Sequence, residues 1–342
     1  MEKEEILKRI QTWEEQEMIY QDIFYMKERG ITEEQIRKKY AHNQLALERG
    51  FHPETVCGEW ISEGDVIEPG RSTGVSKHPR YARMGMHNHE FFEMTYVLEG
   101  SAVHKLVGLE IDLQKGDFCI MSPEVSHTLE VFSDALVINI LIRYKALEGM
   151  FRETLYQNTS ISDFFLDNLY SSKKNGYMIF HTGEDREIRE KILEMFGEEL
   201  VNDAFSDRII ANNIEILFSM LLRGHESDRE ISRRLQPNAE LTNEVIRYLS
   251  TNYDHCTLEE LAGHLHFSKQ YCSKLLPELT GFTYSELLGN IRMKEAAELL
   301  AHTSLSVEEI GFRIGYQNPE TFIRFFKRVN HVTPGQYRKE KH

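Results

Sequence analysis

Two stretches of this 342-residue chain carry one pattern twice, forty-nine positions apart. LEELAGHLHFSKQYCSKLL begins at Leu258 and VEEIGFRIGYQNPETFIRFF at Val307. Each predicts a short helix, a tight turn and a second helix. Leu258, Leu261 and Leu265 point inward in the first copy, and Val307, Ile310 and Ile314 in the second. Ala262 and Gly311 are the small residues that let two helices cross closely. Gly315 suits a turn that needs positive φ. Ser268 and Asn318 are cap candidates for the second helices, and Pro319 fits a first helical position. Between the copies one long helix is expected, capped by Thr283 and Glu286, with Ile291, Ala296, Leu299 and Leu300 on its inner side.

This tandem arrangement, from about Leu241 to Arg338, resembles the DNA-binding domain of the AraC/XylS family of bacterial regulators. The ending GYQNP…F…FK…TPGQYR is its most specific mark. The resemblance implies two helix-turn-helix units that bind double-stranded promoter DNA; a helical bundle with no DNA role is the plainer alternative. At about 100° per residue, Phe322, Phe325, Phe326 and Val329 share the core face of the last recognition helix. Glu320, Arg324 and Lys327 point the other way, flanked by Thr321 and Arg328. In the first unit Tyr271, Leu275 and Leu279 are expected inside, and Gln270, Ser273 and Lys274 outside, with Lys269 nearby. With the caps Ser268 and Asn318, the outward residues form the candidate DNA-binding set, since Arg reads guanine and Lys and Arg hold phosphates. Pro277 and Glu278 depart from the family pattern, which has basic residues there. A weaker grip on DNA by the first unit is therefore expected.

The formal net charge of −15 does not oppose this. From Asn238 onward there are 12 Lys+Arg against 13 Asp+Glu, and the preceding residues hold 28 against 42. From Asn318 onward the count is six basic to two acidic. The acidity belongs to the N-terminal part. No run of eighteen apolar residues predicts a spanning helix, and the charged start MEKEEILKRI lacks a secretory core. A cytoplasmic protein without a membrane partner is expected. Cys57, Cys119, Cys256 and Cys272 are scattered, form no CxxC pair and read as reduced thiols.

The rest of the chain divides by period. Residues 1–55 are a helical segment in which Ile6, Ile10 and Trp13 recur, Gly30 breaks the run, and Thr32 with Gln35 caps a second helix. Residues 56–145 change to period two. FEMTYVLEG, KGDFCIMSP and ALVINILI read as strands between Gly, Asp and Pro turns, which suggests a small antiparallel barrel or jelly roll. Residues 146–223 return to helical spacing. Ile188, Ile192, Leu193, Phe196 and Leu200 give one stripe, and Ile209, Ile214, Ile216, Leu217, Leu221 and Leu222 another. These stripes either pack on the barrel or serve a partner subunit. Residues 224–238 are a polar linker, and 239–342 form the tandem helix-turn-helix domain. The fold class is thus α+β multidomain: N-terminal helices, a cupin-type β-barrel, a helical dimerisation segment and an all-α C-terminal domain.

HNHEFFEMTYVLEG resembles the first cupin motif, with His87, His89, Glu93 and Gly100 in its places. GDFCIMSPEVSH resembles the second more loosely, with Gly116, Pro123 and His127; Ser122 and Glu124 depart from it. In metal-binding cupins three His and one Glu converge on a divalent ion, and all four positions are filled here. His87 and His89, two apart on a strand, point to one face. Imidazoles with a carboxylate suit manganese, iron, nickel or zinc. A metal site, a polar effector pocket without metal, and a purely structural role all stay open. Tyr81 and Arg83, just before the motif, are further pocket candidates.

The two halves together predict a transcriptional regulator whose barrel senses a small polar metabolite, with no catalytic residues. The resemblance implies a sugar or related effector, a homodimer and contact with RNA polymerase. The competing function is a metal-dependent cupin enzyme, a dioxygenase or isomerase, which leaves the C-terminal hundred residues unexplained. A barrel that only dimerises is a third possibility.

Overall fold

FEMTYVLE forms a strand whose alternate residues face two covered sides, and the first part of the protein is built around it. The computed structural model describes residues 2–43, 47, 59–82, 85–150, 159–170, 176–231 and 239–341. Helices α1 (Lys3–Gln11), α2 (Glu15–Glu28) and α3 (Glu33–Lys39) lead. Strand β1 (Glu59–Ile61) and short helix α4 (Glu63–Val66) precede β2 (Thr73–Lys77), β3 (His87–His89), β4 (Phe92–Glu99) and β5 (Ser101–Leu106). Strands β6 (Leu109–Gln114), β7 (Asp117–Met121), β8 (His127–Glu130) and β9 (Leu136–Ile142) follow. Next come α5 (Tyr144–Met150), α6 (Ser160–Tyr170), β10 (Tyr177–His181), α7 (Arg186–Val201), α8 (Ser206–Gly224) and β11 (Arg229–Ile231). Strand β10 interrupts the stretch whose spacing reads as helical, and β11 lies in the stretch that reads as linker. Seven helices close the described residues: α9 (Ala239–Thr251), α10 (Leu258–His264), α11 (Lys269–Thr280), α12 (Tyr284–His302), α13 (Val307–Arg313), α14 (Pro319–Asn330) and α15 (Pro334–Lys341). Among the described residues no helix is long and apolar enough to cross a membrane. Cys119, Cys256 and Cys272 are free thiols, and Cys57 lies outside the described residues.

The chain forms two compact units, Met1–Met150 with Asn175–Arg233, and Phe151–Lys174 with Arg234–His342. The first unit holds a five-stranded sheet, β1-β3-β8-β5-β6, and a six-stranded sheet, β11-β10-β7-β4-β9-β2. Val97, Leu113, Met121, Leu129, Val131 and Val137 fill the space between their inner faces. The outer face of the six-stranded sheet is equally apolar and needs a cover. Phe118 of β7 meets Phe218 of α8. Asp207 of α8 accepts from the Ser72 and Thr73 amides and the Thr73 hydroxyl. Arg71 makes a two-pronged bond to Glu199 of α7 at 2.8 and 2.7 Å, a geometry suited to the guanidinium fork. The expected stripe on α7 is buried at Ile188, Ile192, Leu193 and Phe196, but Leu200 is exposed. On α8 the buried stripe runs through Ile210, Ile214, Leu217, Phe218 and Leu221, leaving Ile209 and Ile216 outside.

The N-terminal helices belong to this unit. Gly197 leaves a notch on α7 that Ile6 of α1 fills; a Cβ there would lie 2.6 Å from Ile6 Cδ1. Glu17 of α2 is fully buried and accepts from the Arg80 amide and guanidinium and from Lys77 Nζ. Arg80 also lies 3.7 Å from the centre of the Trp13 ring. Burial opposes the Glu17 charge, but the bonds from Arg80 and Lys77 outweigh it and bring its pKa down to about 2. This cluster is what the helical period of the first residues could not reveal.

In the second unit the two helix-turn-helix pairs form as the repeat predicts. Thr257, Thr283 and Ser306 each accept from the amide three residues on, and the matching Glu260, Glu286 and Glu309 return the bond. Ser268 caps α11 and Asn318 caps α14, with Pro319 at its start. Met293, Ala296, Leu300, Ile310, Ile314, Phe322 and Phe326 make a shared core. Helix α6 is part of this unit too. Its Asp163 pairs with Arg247 of α9. Lys294 of α12 donates to the Leu169 carbonyl at 3.1 Å and holds its ammonium 3.8 Å from the Tyr170 ring centre.

Candidate functional site

Inside the first unit, three elements of one sheet and two of the other bring a polar cluster into the barrel. His87 and His127 are direct cross-strand partners on β3 and β8. Glu93 reaches them from β4 of the opposite sheet. Its Oε2 lies 3.1 Å from His127 Nε2 and 3.2 Å from His89 Nε2, and its Oε1 accepts from Asn139 of β9 at 2.8 Å. The His87 and His127 rings are 4.7 Å apart between centres. His87, Glu93 and His127 each offer a ligand atom, all within 4.8 Å of one another.

The strand ends set the ring orientation. Nδ1 of His87 contacts the Gly85 carbonyl, Nδ1 of His89 that of Phe91, and Nδ1 of His127 that of Val125, at 2.8–3.0 Å. A carbonyl can only accept, so each Nδ1 carries hydrogen. Nε2 of His127 and Nε2 of His89 are left to face the Glu93 carboxylate, to which an Nε2–H can donate. Burial, with His127 beside it, lowers the His87 pKa to about 4. Burial resists ionisation of Glu93, but the His127 and His89 imidazoles beside its carboxylate hold it well below the usual carboxylate range.

Sequence reasoning missed three members. His104 of β5 is fully buried, its ring 5.1 Å from that of His127, and burial drives its pKa well below the ordinary imidazole value. Neither of its ring nitrogens has a hydrogen-bond partner. Asn139 bridges Glu93 and His78, 3.5 Å from the latter's Nδ1. The signal for His104 was the inward phase of SAVHKL, in which Ala102 and His104 are buried alternately with exposed or half-exposed neighbours. The structure places Tyr81 elsewhere. Its ring packs with Trp13 and Phe24, its hydroxyl donates to Asp134 at 3.0 Å, and it joins the α2 contact. Arg83 lies outside the described residues.

In the second unit, Glu320, Thr321, Arg324, Lys327 and Arg328 of α14 are all exposed, while Phe322 and Phe326 are buried and Phe325 is half-buried. Val329 is exposed rather than inside, because the helix core narrows to Phe322 and Phe326. On α11 Lys269, Gln270, Ser273 and Lys274 are exposed beside the cap Ser268. Lys269 is already paired with Glu259 at 3.2 Å. Tyr271 differs from expectation: it is 51% exposed, and Cys272 takes the buried place. The buried positions Cys272, Leu275, Leu276 and Leu279 rotate the face so that Tyr271 stands among the outward residues, its ring edge-on to Phe267.

A sensor-type barrel and tandem helix-turn-helix units define a DNA-binding transcriptional regulator that takes a ligand. Known proteins agree. Residues 69–211 match the AraC-like ligand binding domain and 261–340 a helix-turn-helix domain. The HTH-type transcriptional activator RhaS of Salmonella schwarzengrund is 24% identical over 279 residues, 79% of this chain and 94% of its own length. Among solved structures, the C-terminal domain of AraT, a response regulator from Geobacillus stearothermophilus, is 35% identical over 31% of this chain and 88% of its own, with a TM-score of 0.29. ToxT from Vibrio cholerae is 15% identical over 78% of this chain and 97% of its own, with a TM-score of 0.31. The chain belongs to the AraC family of transcriptional regulators. It is a regulator and not an enzyme, and the cupin-enzyme alternative is not favoured.

Proposed function

We propose that the barrel cluster of His87, His89, Glu93 and His127 is the effector site, and that α11 and α14 read promoter DNA. The observation that carries the first part is the convergence of Glu93 from one sheet on imidazoles from the other, all buried, at 3.1–3.2 Å. A fold does not bury a carboxylate among three imidazoles for packing alone, since burying polar groups is costly. The effector is a small polar molecule, with carbohydrates as one class to screen. The cluster also fits a divalent transition ion: the carbonyl-fixed Nδ1 atoms are the usual second contacts of metal-bound histidine. Such an ion would supply positive charge beside Glu93. On the DNA side, Arg324 is the base-reading candidate, supported by Glu320, Thr321, Lys327, Arg328 and the cap Asn318. Ser268, Lys269, Gln270, Ser273 and Lys274 serve the first unit.

The protein acts in the cytoplasm as a homodimer that contacts RNA polymerase. The dimer surface is the outer face of α8 with the residue before it: Phe205 is 70% exposed, and Ile209 and Ile216 on the helix are exposed too. A thermal-shift screen of polar metabolites, followed by operator mobility shifts with each hit, tests the function. A ligand must bind the DNA-competent state better than the other to shift operator affinity. Hits whose stabilisation survives unchanged in Glu93→Gln would move the effector site elsewhere.

A further inference from the structure

The two recognition helices place an aromatic ring on opposite sides. Tyr271 and Thr321 are equivalent, each the third residue of its helix after the caps Ser268 and Asn318. Cys272 and Phe322 follow them, and both are buried. In the second unit the large ring is inside and the small residue outside. In the first unit Cys272 fills the core place and Tyr271 is exposed. The aromatic residue of the preceding turn follows the switch. Tyr316 packs against the buried Phe322, with ring centres 5.8 Å apart. Its counterpart Phe267 packs instead on the outward Tyr271, at 4.9 Å and 65° between planes.

The outward ring is held in place. The Tyr271 amide donates to Ser268 Oγ at 3.2 Å. The Phe267 amide donates to the Ala262 carbonyl at 2.8 Å, which fixes the residue that supports the ring. Gln270, Ser273 and Lys274 are exposed around it. An exposed tyrosine by itself is ordinary on a surface. This one stands in the first turn of a recognition helix, the part that meets base edges. The same helix is poorly charged for holding phosphates. Lys269 is paired with Glu259, and Glu278 is acidic. Apolar contact adds affinity without any phosphate pairing. In the major groove the group that takes such a contact is the thymine methyl.

We infer that Tyr271, supported by Phe267, packs on a thymine methyl, so that the first unit reads a T·A pair by apolar contact. This deepens the reading of α11 as a DNA-reading helix and rests on it.

The test uses the full chain. It selects duplexes from a random pool, and each thymine of a selected duplex is replaced in turn by uracil, which lacks only the methyl. Fluorescence anisotropy gives the affinities. The parent should lose about fourfold at one position or more, the worth of one buried methyl. Tyr271→Ala should bind the thymine duplex at least about fourfold more weakly and ignore that same replacement. Its salt dependence should match that of the parent, because no phosphate contact is lost. Tyr271→Phe keeps the ring and should keep the uracil response. Unfolding midpoints near that of the parent show that the variants fold; should Tyr271→Ala not fold, Tyr271→Gln replaces it. The methyl contact is overturned if the parent ignores uracil everywhere, or if Tyr271→Ala responds to it as the parent does. It is also overturned if Tyr271→Phe binds as weakly as Tyr271→Ala, which assigns the hydroxyl instead of the ring. If Gln270→Ala, Ser273→Ala or Lys274→Ala weakens binding and Tyr271→Ala does not, this inference falls while the DNA role of α11 stands. If none of the four changes the affinity or the selected sequence, both fall.

Discussion

At the corner between its helices the first helix-turn-helix unit places His266, with φ 57°, and the second places Gly315, with φ 89°. The two positions are forty-nine apart, equivalent in the repeat. Both need left-handed backbone, but only one needs glycine for space as well. A Cβ on Gly315 would lie 2.1 Å from the Asp254 carbonyl oxygen and 2.6 Å from the Arg292 guanidinium. Arg292 in turn donates to the Tyr253 carbonyl at 2.7 Å. The second corner is therefore pressed against the turn after α9, while the exposed His266 side chain lies outside the unit. The same difference appears on the recognition helices. Helix α14 offers Arg324, Lys327 and Arg328 to solvent, whereas α11 has Pro277 inside it and spends Lys269 on Glu259. The second unit has the more tightly packed corner, and its outer helix carries more basic residues than that of the first.

Substitutions can break this contrast in order of size. Gly315→Ala should cost about 3 kcal/mol or more, because the strained φ adds to an overlap with backbone that cannot yield. Denaturant unfolding of the full chain would show the loss, and a cost under about 1 kcal/mol would mean that the corner can move. Arg324→Ala should remove roughly 1–3 kcal/mol of specific operator binding. Lys274→Ala, on the weaker unit, should cost less and mainly flatten the salt dependence. Mobility shifts across a salt series compare the two, and an equal loss would erase the proposed asymmetry. His266→Gly is the smallest case. It relieves a left-handed non-glycine residue and should stabilise by up to about 1 kcal/mol. Destabilisation there would show that the His266 side chain makes a contact of value.

The repeat made the second unit legible because helix-turn-helix packing is local. Caps at Ser268, Thr283 and Asn318 and core residues such as Ile310 and Phe322 follow from spacing alone. Tyr271 did not, since a wheel of 100° per residue cannot choose between neighbours when Cys272 is also able to fill the core. The barrel was legible as strands and as a His–Glu motif. It was not legible as a five-histidine cluster. His104 and His78 join it through pairings between distant strands, and a lone His in a strand carries no mark of its destination. Tyr81 was misled by its neighbours in sequence: left-handed at φ 59°, it turns toward α2 rather than toward the motif that follows it.

Helix α6 lies in the chain between two strands of the barrel unit, yet its partners are α9 and α12. The regulator is therefore not modular in the way its linker suggests. A crossover placed anywhere in residues 224–238 would deliver a foreign Arg247 and Lys294 to a resident Asp163 and Tyr170. Exchange of sensors between such proteins, in evolution or in the laboratory, has to carry three segments rather than two. Residues 160–170 must travel with the helices they serve, even though the gene writes them in the middle of the sensor.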